Sequence, residues 1–288
     1  MKLKMSYAGK FTSWLVGFLL LGVSIVSART FSKTDVKIFD ISPNGKVVVE
    51  NVNGKIKVES WDKNQVMVEI TKTVKADDQE DADEYFGRVR VEIDNGSDYL
   101  EIHTHYPDEG WRGIWHWLFH GGSINPTVAY VMKVPSTVTL DAGSTNGNLE
   151  IHSVRGGVNA HSTNGNVEVD SATSGVEAST TNGGLNLQDV GGRVEGSTTN
   201  GGIIASISSA PGLQKLTLTT TNGSVKIYCS GDLNADVSAH TTNGSIHTDF
   251  PVTVRGDFDR KSFEGKINNG GTPIYLHTTN GSIEINKR

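Results

Sequence analysis

From Ser144 onward, apolar and polar residues alternate in short stretches. Leu149 and Ile151 flank Glu150, Val167 and Val169 flank Glu168, and Leu185 and Leu187 flank Asn186. A period of two predicts β-strands with one buried face. A second stretch follows each at nine residues: Val158 and Ala160, Val176 and Ala178, Val194 and Gly196. Gly156-Gly157, Ser174-Gly175 and Gly191-Gly192 lie between the two. The remaining joints carry a four-residue repeat. It reads Ser144-Thr145-Asn146-Gly147 and Ser162-Thr163-Asn164-Gly165, then Thr-Thr-Asn-Gly ending at Gly183, Gly201, Gly223, Gly244 and Gly281. Asn146, Asn164, Asn182 and Asn200 are spaced by 18; the steps to Asn222, Asn243 and Asn280 are 22, 21 and 37. One unit is thus two short strands and two corners. Asn and Gly suit corners because both tolerate positive φ. Asn269-Gly270 inside the widest gap predicts one irregular coil there.

Two all-β architectures satisfy this arithmetic, an antiparallel meander and a single-stranded parallel β-helix, or solenoid, of about 18-residue coils. Repeat identity favours the solenoid. In a meander, equivalent corners stand two strands apart, roughly 9–10 Å, and gain nothing from being identical. In a solenoid they stack about 4.8 Å apart, so Asn146, Asn164, Asn182, Asn200, Asn222, Asn243 and Asn280 can form a side-chain ladder. On this reading Asn182 has neighbours on both sides and Asn280, in the last coil, has one. Tyr228 is the only aromatic between Ser144 and Asp249, as expected where two facing strands leave no room for rings.

Residues 29–140 form a less regular β region. Val47 to Glu50 and Ile56 to Val58 predict strands around the Asn53-Gly54 corner, and Val66 to Ile70 another strand. Asp77 to Glu84 predicts a short helix with acids in its first turn. Val89 to Ile93 and Tyr99 to Ile102 flank Asp94-Asn95-Gly96, a hairpin signal. Val128 to Leu140 returns to strand. The segment NVNGKIKVESWDKNQVMVEITK, followed by TTNGSVKI-type coils, resembles the bacterial presumed-adhesin family also described as toast-rack or head-GIN-like domains. The resemblance spans roughly Val36 to Arg288. It implies an envelope-associated β-solenoid used as adhesin, sensor or scaffold, with no agreed active site. The chain departs from the pattern at 107–125 and from Phe250 to Thr272.

The first 28 residues read as an address. Lys2, Lys4 and Lys10 precede an apolar run from Phe11 to Val26, and Val26-Ser27-Ala28 is a small-x-small cleavage pattern. A secretory signal peptide cut after Ala28 is expected. The run is short for a spanning helix, and no integral membrane segment follows. The domain reading is therefore a signal peptide at 1–28, an N-terminal β region at 29–140 and a repeat solenoid at 141–288. The expected location is the periplasm, the outer surface or the medium.

Composition narrows the chemistry. The net charge is −6, and removing the leader lysines makes the chain more acidic, so a nucleic-acid partner is not expected. Hydrophobic residues are 36% and aromatics 7%, which makes any core aliphatic and thin. Cys229 is the only cysteine and shares its parity with Val225 and Ile227, so it reads as a small buried hydrophobe. The corners lack the carboxylates of calcium-binding β-rolls. His161, His240 and His277 each stand three residues before a corner Asn, but Ser179, Ser197 and Thr219 occupy the registers between. His116 and His120 are spaced i, i+4 without a third ligand. No cofactor and no metal site are predicted. Glu150 and Glu168 stack, but Asn186 follows them, so a catalytic carboxylate array is not indicated. The richest candidate for recognition is the aromatic insertion, where Trp111, Arg112, Trp115, Trp117 and Phe119 cluster. It reads either as a lid over the solenoid or as a patch for an envelope protein or glycan. The expected function is an exported, non-catalytic binding or scaffold protein. A periplasmic stress-signalling component and a carbohydrate-active enzyme are the rivals.

Overall fold

The computed structural model describes residues 29–106, 126–207, 212–254 and 260–288. These form strands and one short helix, arranged as two parallel-rich sheets of eleven and twelve strands. Each regular coil places one strand on each sheet. Val158–Asn164 lies on the twelve-stranded sheet and Val167–Asp170 on the other, and the next coils repeat this with Val176–Asn182 and Leu185–Gln188, then Gly192–Asn200 and Ile203–Ile207. Pairing is parallel and in the register of the repeat: Val158 opposes Val176, which opposes Val194. Val167, Leu185 and Ile203 stack likewise. Their side chains meet in a continuous aliphatic core that includes Cys229. The fold class is the predicted β-solenoid.

The stack does not follow chain order. Thr272–Asn280 pairs in parallel with Leu213–Asn222 on one side and with Ala235–Asn243 on the other. The last coil of the sequence is therefore inserted between two earlier ones, and the expectation that Asn280 stands at the end of the ladder is overturned. Asn243 occupies that end. No irregular coil forms around Asn269-Gly270 either. Val252–Val254 and Ser262–Ile267 run antiparallel and cover the outer edge of Ala235–Asn243. Asn268, Gly270 and Gly271 then take positive φ as the chain turns back into the stack. Antiparallel pairing here suits an end, because it covers a strand edge that would otherwise template further pairing.

At every Asn-Gly corner but that of Gly54, the glycine has a different reason from the one expected. Among the corner glycines only Gly54 has positive φ. The others are needed because coils stack there backbone on backbone: a Cβ on Gly165 would fall well inside 3.0 Å of the Gly147 carbonyl, and one on Gly183 inside the same distance of Gly165. Positive φ belongs to the opposite corner, at Ser153, Ser171 and Asp189 and at Gly175 and Gly192.

The sheets continue into the N-terminal region but diverge. Beyond Ile56–Trp61, the eleven-stranded sheet adds Thr127–Pro135 in parallel, then Gln65–Ala76 and Arg29–Asp40 antiparallel. Beyond Lys46–Asn53, the other sheet adds Tyr99–His105 in parallel and Arg90–Asn95 antiparallel. Val128 to Leu140, expected as one strand, is divided between Thr127–Pro135 on one sheet and Thr139–Asn146 on the other. The helix Gln79–Arg88 packs on the eleven-stranded sheet at this end, with Asp78 as its N-cap accepting from the Asp81 amide at 2.9 Å. Ala82, Tyr85 and Phe86 pack it onto Val74 and Ala76.

Candidate functional site

The corner residues build two parallel columns along one edge of the stack. Each Asn donates its Nδ2 to the Oδ1 of the Asn in the coil before it. The bonds from Asn146 to Asn53, Asn164 to Asn146, Asn182 to Asn164 and Asn200 to Asn182 are each 2.8 Å. Asn222 to Asn200 is 2.9 Å, and Asn280 to Asn222 and Asn243 to Asn280 are 2.8 Å. Asn53, outside the repeating tetrapeptides, is thus the ladder's eighth member. All of these amides lie on the exposed edge. The buried column is the hydroxyl two residues earlier. Thr180 Oγ1 donates to Gly165 O and Thr198 Oγ1 to Gly183 O, each at 2.9 Å. Thr220, Thr278 and Thr241 do the same to Gly201, Gly223 and Gly281, each at 2.8 Å. The column fails once. Asn51 Nδ2 occupies the Gly54 carbonyl, and the buried Ser144 hydroxyl has no partner among the described residues.

This edge is repetitive and uncharged, which makes it a scaffold feature with little to select a ligand. The polar faces are similarly self-satisfied: Glu150 pairs with Lys55 at 2.6 Å and Glu195 with Arg193 at 2.7 Å. His277 and His240 are adjacent because of the inserted coil, their rings stacked 5.5 Å apart.

The concave feature lies where the sheets diverge. Two clefts, of about 1040 and 770 Å³, share Lys72, Phe86, Gly87 and Val91. The larger reaches His105 and Tyr106; the smaller is lined by Lys33, Lys37, Ile70 and Ile93. Lys72 Nζ donates to the carbonyls of Phe86 at 3.1 Å and Val89 at 2.5 Å, closing the helix C-terminus. Burial, with Lys33 nearby, holds its pKa below the ordinary lysine value. Tyr106 donates to Asn53 O at 3.0 Å, and burial raises its phenol pKa. The lining mixes apolar groups and lysines with the carboxylates Asp35, Asp83 and Glu92, and so suits an amphiphilic partner surface. The sequence reading missed this cleft, because its walls come from strands far apart in the chain.

Tyr106 stands in the column of Asn53, since Glu50 pairs with His103 three residues earlier in each strand. The next described strand, Thr127–Pro135, belongs to the opposite sheet. In the sequence, residues 107–125 fall between these two strands, at the position where other coils have Thr-Asn-Gly. Trp111, Arg112, Trp115, Trp117 and Phe119, with His116 and His120, lie outside the described residues, as do residues 1–28.

The Toastrack DUF4097 family profile matches residues 26–286. The chain belongs to the Toastrack family. Among solved structures, a presumed cell adhesion protein from Clostridium sporogenes aligns at 12% identity and TM-score 0.38, covering 90% of this chain and 100% of that one. A presumed adhesin from Bacteroides fragilis aligns at 11% identity and 0.38, covering 89% and 97%. A presumed lipid binding protein from Parabacteroides distasonis aligns at 13% and 0.37, covering 88% and 96%. No curated protein matches the chain. Among the described residues, no helix of this Toastrack protein is long and apolar enough to cross a membrane.

Proposed function

We propose that this Toastrack protein is an exported, non-catalytic binding or scaffold protein of the cell envelope, and that it recognises its partner at the N-terminal end of the solenoid. The observation that carries this reading is the coincidence of two features at that end. The clefts around Lys72 and Phe86 lie there, and the two strands between which residues 107–125 fall in the sequence, Tyr99–His105 and Thr127–Pro135, belong to the same end. Arg29–Asp40 adds to it. This twelve-residue strand ends the eleven-stranded sheet, and Val36 and Ile38 on it are more than half exposed. A long edge with apolar side chains is a surface onto which a partner strand can add. The leader-like segment at 1–28 supports export. An envelope protein or a glycan is the expected partner.

The test is attachment of the purified chain to envelope fractions. Trp115→Ala with Trp117→Ala should leave the melting temperature nearly unchanged and weaken attachment roughly 30-fold, since anchor residues are typically worth about 2 kcal/mol or more. Lys33→Glu with Lys37→Glu, at the cleft rim, should weaken it further. A large fall in melting temperature with attachment per folded molecule intact would make the aromatic segment a structural lid and refute this reading.

A further inference from the structure

We propose that Glu50, Asp141 and His161 form a binding site for a zinc-class divalent cation on the outer face of the twelve-stranded sheet. The three residues come from three successive strands: Lys46–Asn53, Thr139–Asn146 and Val158–Asn164. One donor atom from each lies within 4.8 Å of the other two. Glu50 Oε1 is 3.7 Å from His161 Nε2, and each side chain is only partly exposed, at 38% and 45%. Asp141 is held by Asn159 on the neighbouring strand, whose Nδ2 donates to its Oδ1 at 3.1 Å. Orientation of a ligating carboxylate by an outer hydrogen bond is a usual component of a metal site.

Gly143 points independently to a ligand. It stands between Glu50 and His161 in the same column of the sheet. Every later coil carries a side chain in this column: Ser179, Ser197, Thr219, His277 and His240. Gly143 has no positive φ, so its backbone does not demand glycine. A Cβ there would collide with Glu50 Oε2 and His161 Nε2 together. Glycine therefore keeps open the space into which both ligands point. Two carboxylate oxygens and one imidazole nitrogen suit zinc, nickel or cobalt better than calcium or magnesium, which prefer oxygen-only sites. Three protein ligands leave the remaining positions to water or to a group from outside. A bound ion would also tie the strand of the less regular region to the first two strands of the repeat.

The experiment is calorimetric titration of the purified chain with Zn²⁺ alone, backed by the visible absorption of a Co²⁺-loaded sample. One ion per chain is expected at this site. Glu50→Gln, Asp141→Asn and His161→Gln should each weaken it at least ~10-fold, with loss of the cobalt bands. Gly143→Ala should weaken it as much while leaving the melting temperature of the metal-free protein unchanged, because the atoms it meets are the ends of flexible side chains. His277→Gln, and His116→Gln with His120→Gln, should leave this binding intact. Unaltered zinc affinity in His161→Gln and Gly143→Ala, or a loss that follows His277 or His116 and His120 instead, would overturn the proposal.

Discussion

The regular coils and the N-terminal end share two sheets but solve different packing problems. Between Thr139 and Cys229, neighbouring coils approach so closely at the Asn-Gly edge that backbone meets backbone. Side-chain identity there is dictated by contact: glycine where a carbonyl lies beneath, Ser or Thr where a hydroxyl reaches it, Asn where amides stack. At the N-terminal end the sheets diverge and the space is filled by larger groups. Tyr130 is fully buried there, its hydroxyl 2.6 Å from Thr104 Oγ1, and burial pushes its phenol up to about 12. Phe86 and Tyr85 close the gap beneath the helix. The difference is a physical reason for the proposed recognition surface to lie at one end. A stack that repeats every contact has little freedom to vary, whereas the widened end can accept insertions and clefts.

The same substitution should therefore have opposite effects in the two regions. Gly183→Ala places a Cβ against the backbone of Gly165 and Asn166, which cannot move without breaking the stack. A loss of about 3 kcal/mol or more is expected in denaturant unfolding. Gly87→Ala, in the N-terminal helix, has nothing within 4 Å of the new Cβ and should gain about 0.5–1 kcal/mol. Equal losses would show that close stacking is not what requires the corner glycine.

A smaller contrast tests the hydroxyl column. Thr180→Val keeps the side-chain shape but removes the donor to Gly165 O, at an expected cost of about 1–3 kcal/mol. Ser144→Ala, at the junction of the two regions, removes a hydroxyl that has no partner among the described residues. Thermal melts of the two variants should separate clearly, with Ser144→Ala close to the parent. A matched fall would place the stabilising role elsewhere than in the bond to the neighbouring carbonyl.

The smallest effect concerns the exposed ladder. Asn280→Ala breaks two amide bonds and Asn243→Ala breaks one. Each exposed bond is worth about 0.5–1 kcal/mol, so Asn280→Ala should lower stability more than Asn243→Ala. Asn182, also interior, should match Asn280. Reading the coils in chain order makes Asn280 terminal, which puts Asn243 and Asn182 above it, so the measurement also tests the inserted coil directly.

Much of this fold was legible in the residues. Alternation at Leu149–Ile151 and Val167–Val169 marks the buried faces, and the step of 18 between Asn residues marks the coil. Identity at every Asn-Gly corner requires that corners touch. These signals are local, or repeat at one fixed distance, so the chain states them without reference to its final shape. The cleft around Lys72 and the cluster of Glu50, Asp141 and His161 were not legible, because strands distant in sequence supply their parts.

The order of the coils also lay beyond the sequence, and the reason is physical. Every Thr-Thr-Asn-Gly edge offers the same hydrogen bonds to any other, so the repeat that identifies a coil cannot say which coil it stacks upon. Thr272–Asn280 pairs with Leu213–Asn222 and with Ala235–Asn243 in the same Thr and Asn register. The ends decide the order. Ser262–Ile267 pairs antiparallel with Ala235–Asn243 and covers its edge, and Val252–Val254 pairs antiparallel with Ser262–Ile267 beyond it. That arrangement leaves the place between the coils of Asn222 and Asn243 for the last coil of the chain. The residues determine what each rung is, and burial of the exposed edges determines where the last rung goes.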